Sequence, residues 1–149
     1  MGGDTMSDLR LWHYEMLKYL PKTQLKNQWS TLCSIFKNHA ANILINYVYD
    51  YPKENLYAYT RLVIEEMRKR GYEISCETEK LTEDYFNDIT IFDIPKYGDN
   101  PFPGKHTDEY LKICYFVLKE YYLRGQRDFS MYIFDSLSDF VSDRTDGTM

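Results

Sequence analysis

The sequence has few of the residues that build disulfide-bonded, metal-bound or membrane-spanning proteins. Its 149 residues include three cysteines and three histidines, all widely spaced. This spacing gives neither a disulfide framework nor a zinc pattern, and it suits a reducing compartment. No stretch approaches the roughly 20 apolar residues of a membrane-spanning helix, and the N-terminus lacks a signal-peptide pattern. We therefore expect a cytoplasmic protein with no membrane contact, no metal site and no cofactor.

The composition is that of one globular domain. Hydrophobic residues make up 44% of the chain and charged residues 28%, which excludes a disordered protein. Aromatic residues are abundant at 17%, and 15 of them are tyrosines. A tyrosine ring has an apolar face and a polar tip, so it suits either buried packing or stacking on a nucleic-acid base. We expect most of these rings to lie in or against the core.

The net charge of −5 is unevenly distributed. Residues 10–70 contain ten Lys or Arg against five Asp or Glu, whereas residues 73–99 contain two against eight. A duplex-DNA-binding domain is usually basic, because each phosphate contact needs a Lys or Arg. The basic first half suits a modest anionic ligand. The alternative is that these charges lie on solvated helix faces.

Hydrophobic spacing and capping residues predict a helical protein. Four helices are expected: the first from Pro21 to about His39, the second from just after Pro52 to Gly71, the third from Thr107 to just before Gly125, and the last at about Ser130–Val141. A short helical turn is expected before the first, at Tyr14–Leu20.

The segments between these helices are predicted to be irregular. The run Asn42–Tyr51 is apolar and rich in tyrosine but short, so we expect a buried extended segment. Glycine and proline predict a loop at Gly98–Gly104. The fold expected is all-α: a compact single domain of three main helices with long connecting segments, plus an added C-terminal helix.

We divide the chain into an N-terminal extension (1–9), a helical body (10–127) and an acidic C-terminal helix and tail (128–149). The last helix has an apolar side formed by Phe134, Leu137 and Val141. That side is a candidate surface for self-association or for a protein partner.

Three groups of motifs follow one another along the chain. The first contains Arg10-Leu11-Trp12-His13, Leu20-Pro21, Gln24-Leu25 and Gln28. The second contains Asn46-Tyr47-Val48-Tyr49-Asp50, Leu56-Tyr57, Tyr59, Leu62-Val63, Glu65-Glu66-Met67 and Arg70-Gly71-Tyr72. A looser third contains Pro103, His106 and Asp108-Glu109-Tyr110-Leu111. Together they resemble the endonuclease V-type pyrimidine-dimer DNA glycosylases of bacteria and phages, over roughly residues 10–124.

The resemblance implies a compact helical fold and base-excision chemistry. In that family the free N-terminal amine attacks the sugar carbon of a damaged nucleotide and forms a Schiff base. A glutamate on the first long helix then assists sugar opening and strand cleavage. The reagents are thus an activated amine and a carboxylate that transfers protons.

This sequence departs from the family at both reagents. The family amine precedes the residue that matches Arg10, but here Leu9 lies at that position, within the peptide chain. A start at Met6 would still leave Ser7 and Asp8 before it. The family sequence Gln-His-Arg-Glu aligns with residues 28–31, so the glutamate falls on Thr31 and the phosphate-binding arginine on Ser30. No catalytic residue is therefore assigned.

A pocket that remains without this chemistry is expected to have seven ligand-binding residues: Arg10, His13, Trp29, Thr31, Tyr47, Tyr49 and Arg70. For Arg10 the alternatives are a bidentate phosphate contact and a structural ion pair. For Trp29 they are stacking on a base and filling of the core. Arg70 lies at a helix end, where interaction with the last carbonyl groups is the favoured alternative.

Two hypotheses on function follow. In the favoured one, the chain is a non-catalytic binding protein on a glycosylase-like scaffold. Its ligand is a nucleotide or short nucleic acid, or a protein partner, as in a phage-type sequestering or inhibitory protein. In the alternative, it is an active DNA glycosylase and abasic-site lyase that acts on damaged pyrimidines. That alternative needs relocated catalytic groups, such as Glu15 or Lys26.

Overall fold

The computed structural model describes residues 10–126 and 128–145, and within these ranges it contains helices and no strands. The α-helices are α1 (Lys22–Asn38), α2 (Lys53–Lys69), α3 (Cys76–Tyr85), α4 (Asp108–Leu123) and α5 (Met131–Arg144). Short 3-10 helices lie at Tyr14–Tyr19, Asn46–Asp50 and Ile91–Asp93. The all-α prediction is confirmed. The predicted extension 1–9 lies outside the described residues.

The four predicted helices form because a continuous apolar stripe coincides with local start and stop signals. On α1 the stripe residues Leu25, Trp29, Leu32 and Phe36 are all buried. Helix α2 ends before Gly71, whose positive φ of 81° places it in the left-handed region. Helix α4 begins after Thr107, whose Oγ1 accepts a hydrogen bond from the Tyr110 N–H at 3.1 Å.

The prediction for residues 42–51 is wrong. The chain makes a tight turn there, in which the N–H groups of Ile45 and Asn46 both donate to the Asn42 carbonyl, and then the 3-10 helix Asn46–Asp50. The segment is therefore not extended, and it is only partly buried: Ile45 and Val48 are buried, whereas the side chain of Ile43 is 91% exposed. These local hydrogen bonds satisfy backbone N–H and C=O groups of the segment, so it needs no neighbouring strand.

Helix α3 was not predicted. Its N-cap is Ser75, whose Oγ accepts a hydrogen bond from the Thr78 N–H at 3.1 Å, and Glu77 and Glu79 occupy its first turn. This is a recognisable start signal.

The helices pack pairwise around one core. Helix α1 contacts α2 and α3, α4 contacts α5, and the first 3-10 helix lies between α2 and α5. The apolar side of α5 faces inward: Leu137 and Val141 are fully buried, and Phe134 stacks on Tyr122 with ring centroids 4.2 Å apart. The residues proposed for self-association therefore belong to this chain's own core, which removes them from the reach of a partner.

No helix in the described part of the chain is both long and apolar enough to cross a membrane.

Candidate functional site

The amide of Gln28 fixes the segment that precedes the first 3-10 helix. Gln28 is buried on α1; its Oε1 accepts a hydrogen bond from the Trp12 N–H at 2.7 Å, and its Nε2 donates to the Arg10 carbonyl at 3.0 Å. Tyr59 Oη, from α2, lies 2.6 Å from the Trp12 carbonyl and 2.9 Å from Gln28 Oε1. Residues 10–12 are thus held against both α1 and α2 by buried hydrogen bonds.

Two buried histidines lie next to this segment. The rings of His13 and His106 stack with centroids 5.4 Å apart. His106 Nδ1 accepts a hydrogen bond from the Tyr14 N–H at 3.2 Å, and its Nε2 lies 2.7 Å from Tyr47 Oη. Because a backbone N–H donates to Nδ1, the proton of the neutral ring belongs on Nε2, which donates to Tyr47.

Burial keeps both rings neutral. It lowers the pKa of His13 to about 4, with a further contribution from Arg144, and the backbone of His106 partly opposes this shift. Burial, and then the neighbouring His13, lower the pKa of His106 well below its usual value. His13 Nδ1 accepts from the Glu15 N–H at 3.1 Å, while its Nε2 makes no hydrogen bond of normal geometry with the described residues. Neither ring carries charge near neutral pH.

Three tyrosines and a cysteine lie around the two histidines. Tyr110, on α4, donates to the Leu11 carbonyl at 2.6 Å and stacks on His106. Burial raises the pKa of Tyr47, Tyr59, Tyr110 and Cys114. We call the group His13, Tyr47, Tyr59, His106 and Tyr110 the histidine–tyrosine cluster. All its members are neutral at physiological pH, so they can form hydrogen bonds but provide no carboxylate for proton transfer.

Three of the seven predicted site residues lie at or beside this cluster. His13 and Tyr47 are members of it. Arg10 is half-buried next to it, with its guanidinium carbon 5.7 Å from the centroid of the Trp12 ring. Burial raises the pKa of Tyr47, Tyr110 and Cys114, and the positive charge of Arg10 partly opposes that rise. The buried Arg10 Nε has no hydrogen-bond partner in the described ranges.

Trp29 and Thr31 are buried on α1. Trp29 is 8% exposed, packs edge-on against Phe36 and borders a cleft next to α2 and α3. Thr31 is 5% exposed, and its Oγ1 donates a hydrogen bond to the Asn27 carbonyl at 3.0 Å. Such a bond to the preceding turn is a common arrangement of threonine within a helix. It occupies the one proton that the hydroxyl can donate.

Tyr49 and Arg70 make contacts elsewhere in the fold. Tyr49 donates its hydroxyl proton to the Ala40 carbonyl and stacks on His39. Arg70 pairs with Glu66 at 2.8 Å and donates to the Leu20 carbonyl at 2.7 Å, at the end of the first 3-10 helix. The Arg70 side chain therefore bonds carbonyl groups at the end of the neighbouring 3-10 helix, whereas the favoured alternative was a cap of its own helix.

Residues 9–80 match the family described as pyrimidine dimer DNA glycosylase. The resemblance stated from the motifs is thereby confirmed for this part of the chain, which is just under half of it. No curated protein and no solved structure gives a significant match to the chain.

The glycosylase-like segment contains α1, α2 and the first two 3-10 helices. It therefore includes Gln28, Tyr59 and the N-terminal segment that they fix. His106 and Tyr110 lie beyond it, so the looser third group of motifs stays a prediction. These two residues nevertheless pack directly on the glycosylase-like segment, through Tyr14, Tyr47 and Leu11.

Sequence reasoning did not assign Tyr59, His106, Tyr110 or Cys114 to the site. The signal available for Tyr59 was its place on the apolar stripe of α2, because a buried tyrosine hydroxyl needs a partner. For Tyr110 and Cys114 there was a shared stripe on α4, but nothing in the sequence showed that α4 packs over the N-terminal segment.

Within the described part of the chain, no three His, Cys, Asp or Glu side chains converge as a metal site would require.

Proposed function

We propose that this protein retains the body of a pyrimidine-dimer DNA glycosylase without its chemistry and serves as a binding protein for a nucleotide or short nucleic acid. The proposal rests on one observation above all. The resemblance assigns the position of the family glutamate to Thr31, which is buried and already hydrogen-bonded to the Asn27 carbonyl. A threonine hydroxyl does not exchange a proton near neutral pH, so it cannot replace a carboxylate in acid–base catalysis.

Glu15 and Lys26, which were considered as replacements for the family's catalytic groups, are engaged in other contacts. Glu15 Oε1 lies 2.5 Å from Arg144 Nη1, in an ion pair that connects the first 3-10 helix to α5. The ammonium group of Lys26 lies 5.2 Å from the centroid of the Tyr72 ring, on the exposed side of α1. The backbone N–H of Glu15 donates to His13 Nδ1, but in the described ranges neither the Glu15 carboxylate nor the Lys26 ammonium is hydrogen-bonded to a side chain of the histidine–tyrosine cluster. This arrangement supports the loss of the family reaction and disfavours an active glycosylase.

A basic cleft offers a place for an anionic ligand. Its lining includes Lys18, Lys22, Arg70 and Tyr72, and its volume is about 400 Å³. Lys22 and Lys26 both place their ammonium groups over the Tyr72 ring, at 5.6 and 5.2 Å from its centroid. Phosphate oxygens are attracted to such ammonium groups, and the ring offers a stacking surface for a base.

Both carboxylates at this cleft interact with other groups of the protein. Glu66 is paired with Arg70. Asp128 accepts hydrogen bonds from the Thr23 N–H and hydroxyl, both at 2.8 Å. Lys18 and Lys22 take part in none of the ion pairs found in the described ranges. Their charges therefore remain available to a nucleotide phosphate.

Borohydride trapping on DNA with an abasic site tests the loss of catalysis. Borohydride reduces a Schiff base between an amine and the abasic sugar to a stable covalent adduct. We expect no adduct with the protein started at Met1 or at Met6. A matched variant carries Thr31→Glu and a free amine immediately before Arg10, and it should gain adduct formation. An adduct with either unmodified form would overturn the proposal.

Binding is tested separately with a short single-stranded oligonucleotide and with a mononucleotide. The double variant Lys22→Gln/Lys26→Gln should weaken binding about tenfold or more and reduce its dependence on salt concentration. Lys119→Gln, on α4, is the control and should bind like the parent protein. Equal binding by both variants, or no binding by the parent, would contradict the assignment of this cleft.

A further inference from the structure

A second cleft lies between α2, α3 and the 3-10 helix Ile91–Asp93. Its volume is about 520 Å³. The buried rings of Trp29 and Phe86 contribute to its lining, and four isoleucines contribute further apolar surface: Ile64, Ile89, Ile91 and Ile94. A concave surface with this lining matches the size and polarity of sites that accept apolar side chains.

Large apolar side chains stand exposed at the edge of this cleft. Ile91, which lines it, is 78% exposed, and the adjacent Phe92 is 97% exposed. Both lie on one short 3-10 helix, so they form a continuous apolar projection beside an apolar depression. Contiguous exposed apolar surface of this kind is typical of protein-interaction sites.

The charged residues around the cleft are mainly acidic. Its two arginines are neutralised within the rim: Arg61 pairs with Glu65 at 3.6 Å and Arg68 with Glu79 at 2.7 Å. Glu83 lies on the rim without an ion-pair partner among the described residues. Residues 73–99, which supply α3 and the isoleucine-rich edge, contain eight Asp or Glu against two Lys or Arg. A nucleic acid would be repelled here, whereas a cationic partner would be attracted.

We propose that this cleft docks an amphipathic segment of another protein, one that has large apolar side chains flanked by Lys or Arg. The apolar side chains would enter between Trp29 and Ile91, and the cationic flanks would face Glu83. Phe86, Ile91 and Phe92 all lie beyond residue 80, where the glycosylase match ends. The two clefts share no lining residue, so the test of this site is independent of the nucleotide-binding proposal.

Fluorescence of Trp29 reports on the site directly. The other tryptophan, Trp12, is fully buried beside Gln28, away from this cleft. The probe is a short helical peptide built from Leu and Lys with one apolar face, and the comparison is the same peptide with Glu in place of Lys. We expect a saturable change in emission with the Lys peptide and a much weaker one with the Glu peptide.

Three variants define the contact. Phe92→Ser and Ile91→Ser should each weaken binding of the Lys peptide about tenfold, as expected for anchors of an interface. Glu83→Lys should weaken it and raise affinity for the Glu peptide. Ile43→Ser alters an isoleucine that is 91% exposed on another surface and should change nothing. Circular dichroism should show the same helix content in all four, since these side chains are exposed or lie on a rim.

Three results would overturn the inference. The first is no saturable binding of the Lys peptide, or equal binding of both peptides. The second is binding that Phe92→Ser and Ile91→Ser leave unchanged. The third is a dimer of the protein, measured by light scattering, that Phe92→Ser dissociates, because a second copy would then be the occupant.

Discussion

At the scale of single residues, the site depends on side chains whose polar atoms are buried and neutral. Gln28 illustrates this, since its one amide bonds both Arg10 and Trp12. His106 connects the Tyr14 backbone to the Tyr47 hydroxyl in the same way. Ionisation of any group within such a cluster would place a charge where water cannot solvate it. The stability of the fold is therefore sensitive to pH.

The buried His13 provides a pH prediction. In the unfolded chain a histidine takes up a proton as the pH falls below about 6.5, whereas the folded ring does so only at about pH 4 because burial lowers its pKa. Between these values the unfolded state binds more protons, so stability falls as the pH falls. The full effect is about 3 kcal/mol, and His106 acts in the same direction.

Urea denaturation between pH 8 and pH 5 measures this dependence. We expect the free energy of unfolding to be level above pH 7 and to fall below it. His13→Phe should reduce the slope between pH 6.5 and pH 5, and His106 should cause the slope that remains. His39→Gln, at an exposed position, is the control. A slope that His13→Phe does not alter would show that this ring does not cause it.

At the scale of helices, α1 receives its N-terminal cap from a distant part of the chain. Its own N-cap residue, Pro21, has no side chain that can accept a hydrogen bond. Asp128 takes this role by accepting from the Thr23 N–H and hydroxyl. Burial would raise the pKa of Asp128, but these bonds and one from Gln126 outweigh it and hold the pKa below its usual value. A carboxylate at a helix N-terminus is also favoured by the helix dipole.

Removal of this cap should destabilise the protein. Asp128→Ala leaves the first turn of α1 without its acceptor, and we expect a loss of about 1 kcal/mol, as for other N-cap substitutions. Thermal denaturation followed by circular dichroism measures it. Asp135→Ala, at an exposed position on α5, is the matched control and should have little effect. An equal loss in both variants would indicate a general charge effect in place of capping.

The helices that the sequence predicted correctly are those with a continuous stripe and local end signals, as for α2 between Pro52 and Gly71. Helix α3 was missed, although Ser75 caps it, because its acidic residues outnumber its apolar ones. The site was harder to predict, since it depends on contacts distant in sequence. Tyr14 and His106 are 92 residues apart, and no local pattern indicates that they meet. Arg10, His13 and Tyr47 were placed near one another only through the family resemblance.

At the scale of the whole molecule, α5 is part of the core, although the division of the chain at residue 128 remains a proposal. Leu137 and Val141 are fully buried, and the hydroxyls of Ser138 and Tyr115 lie 2.7 Å apart, which connects α5 to α4. Arg144 extends this contact to the first 3-10 helix through Glu15. The C-terminal helix therefore stabilises the segment that contains His13.

Leu137→Ala tests this role. Truncation of a fully buried leucine leaves a cavity and should lower the free energy of unfolding by about 3 kcal/mol, measured by urea denaturation. Ile133→Ala, on the same helix at a position 41% exposed, should cost far less. Light scattering should give the same mass for parent and variant. A parent dimer that Leu137→Ala separates into stable monomers would instead show that this face joins two copies.

The contact between Thr23 and Asp128 also bears on the order of events during synthesis. A ribosome releases the N-terminal part of a chain first, yet α1 gains its cap only when a residue 105 positions later has emerged. The segment around Leu11 similarly depends on Tyr110. The nascent glycosylase-like segment therefore lacks both of these contacts until Tyr110 and Asp128 have left the exit tunnel.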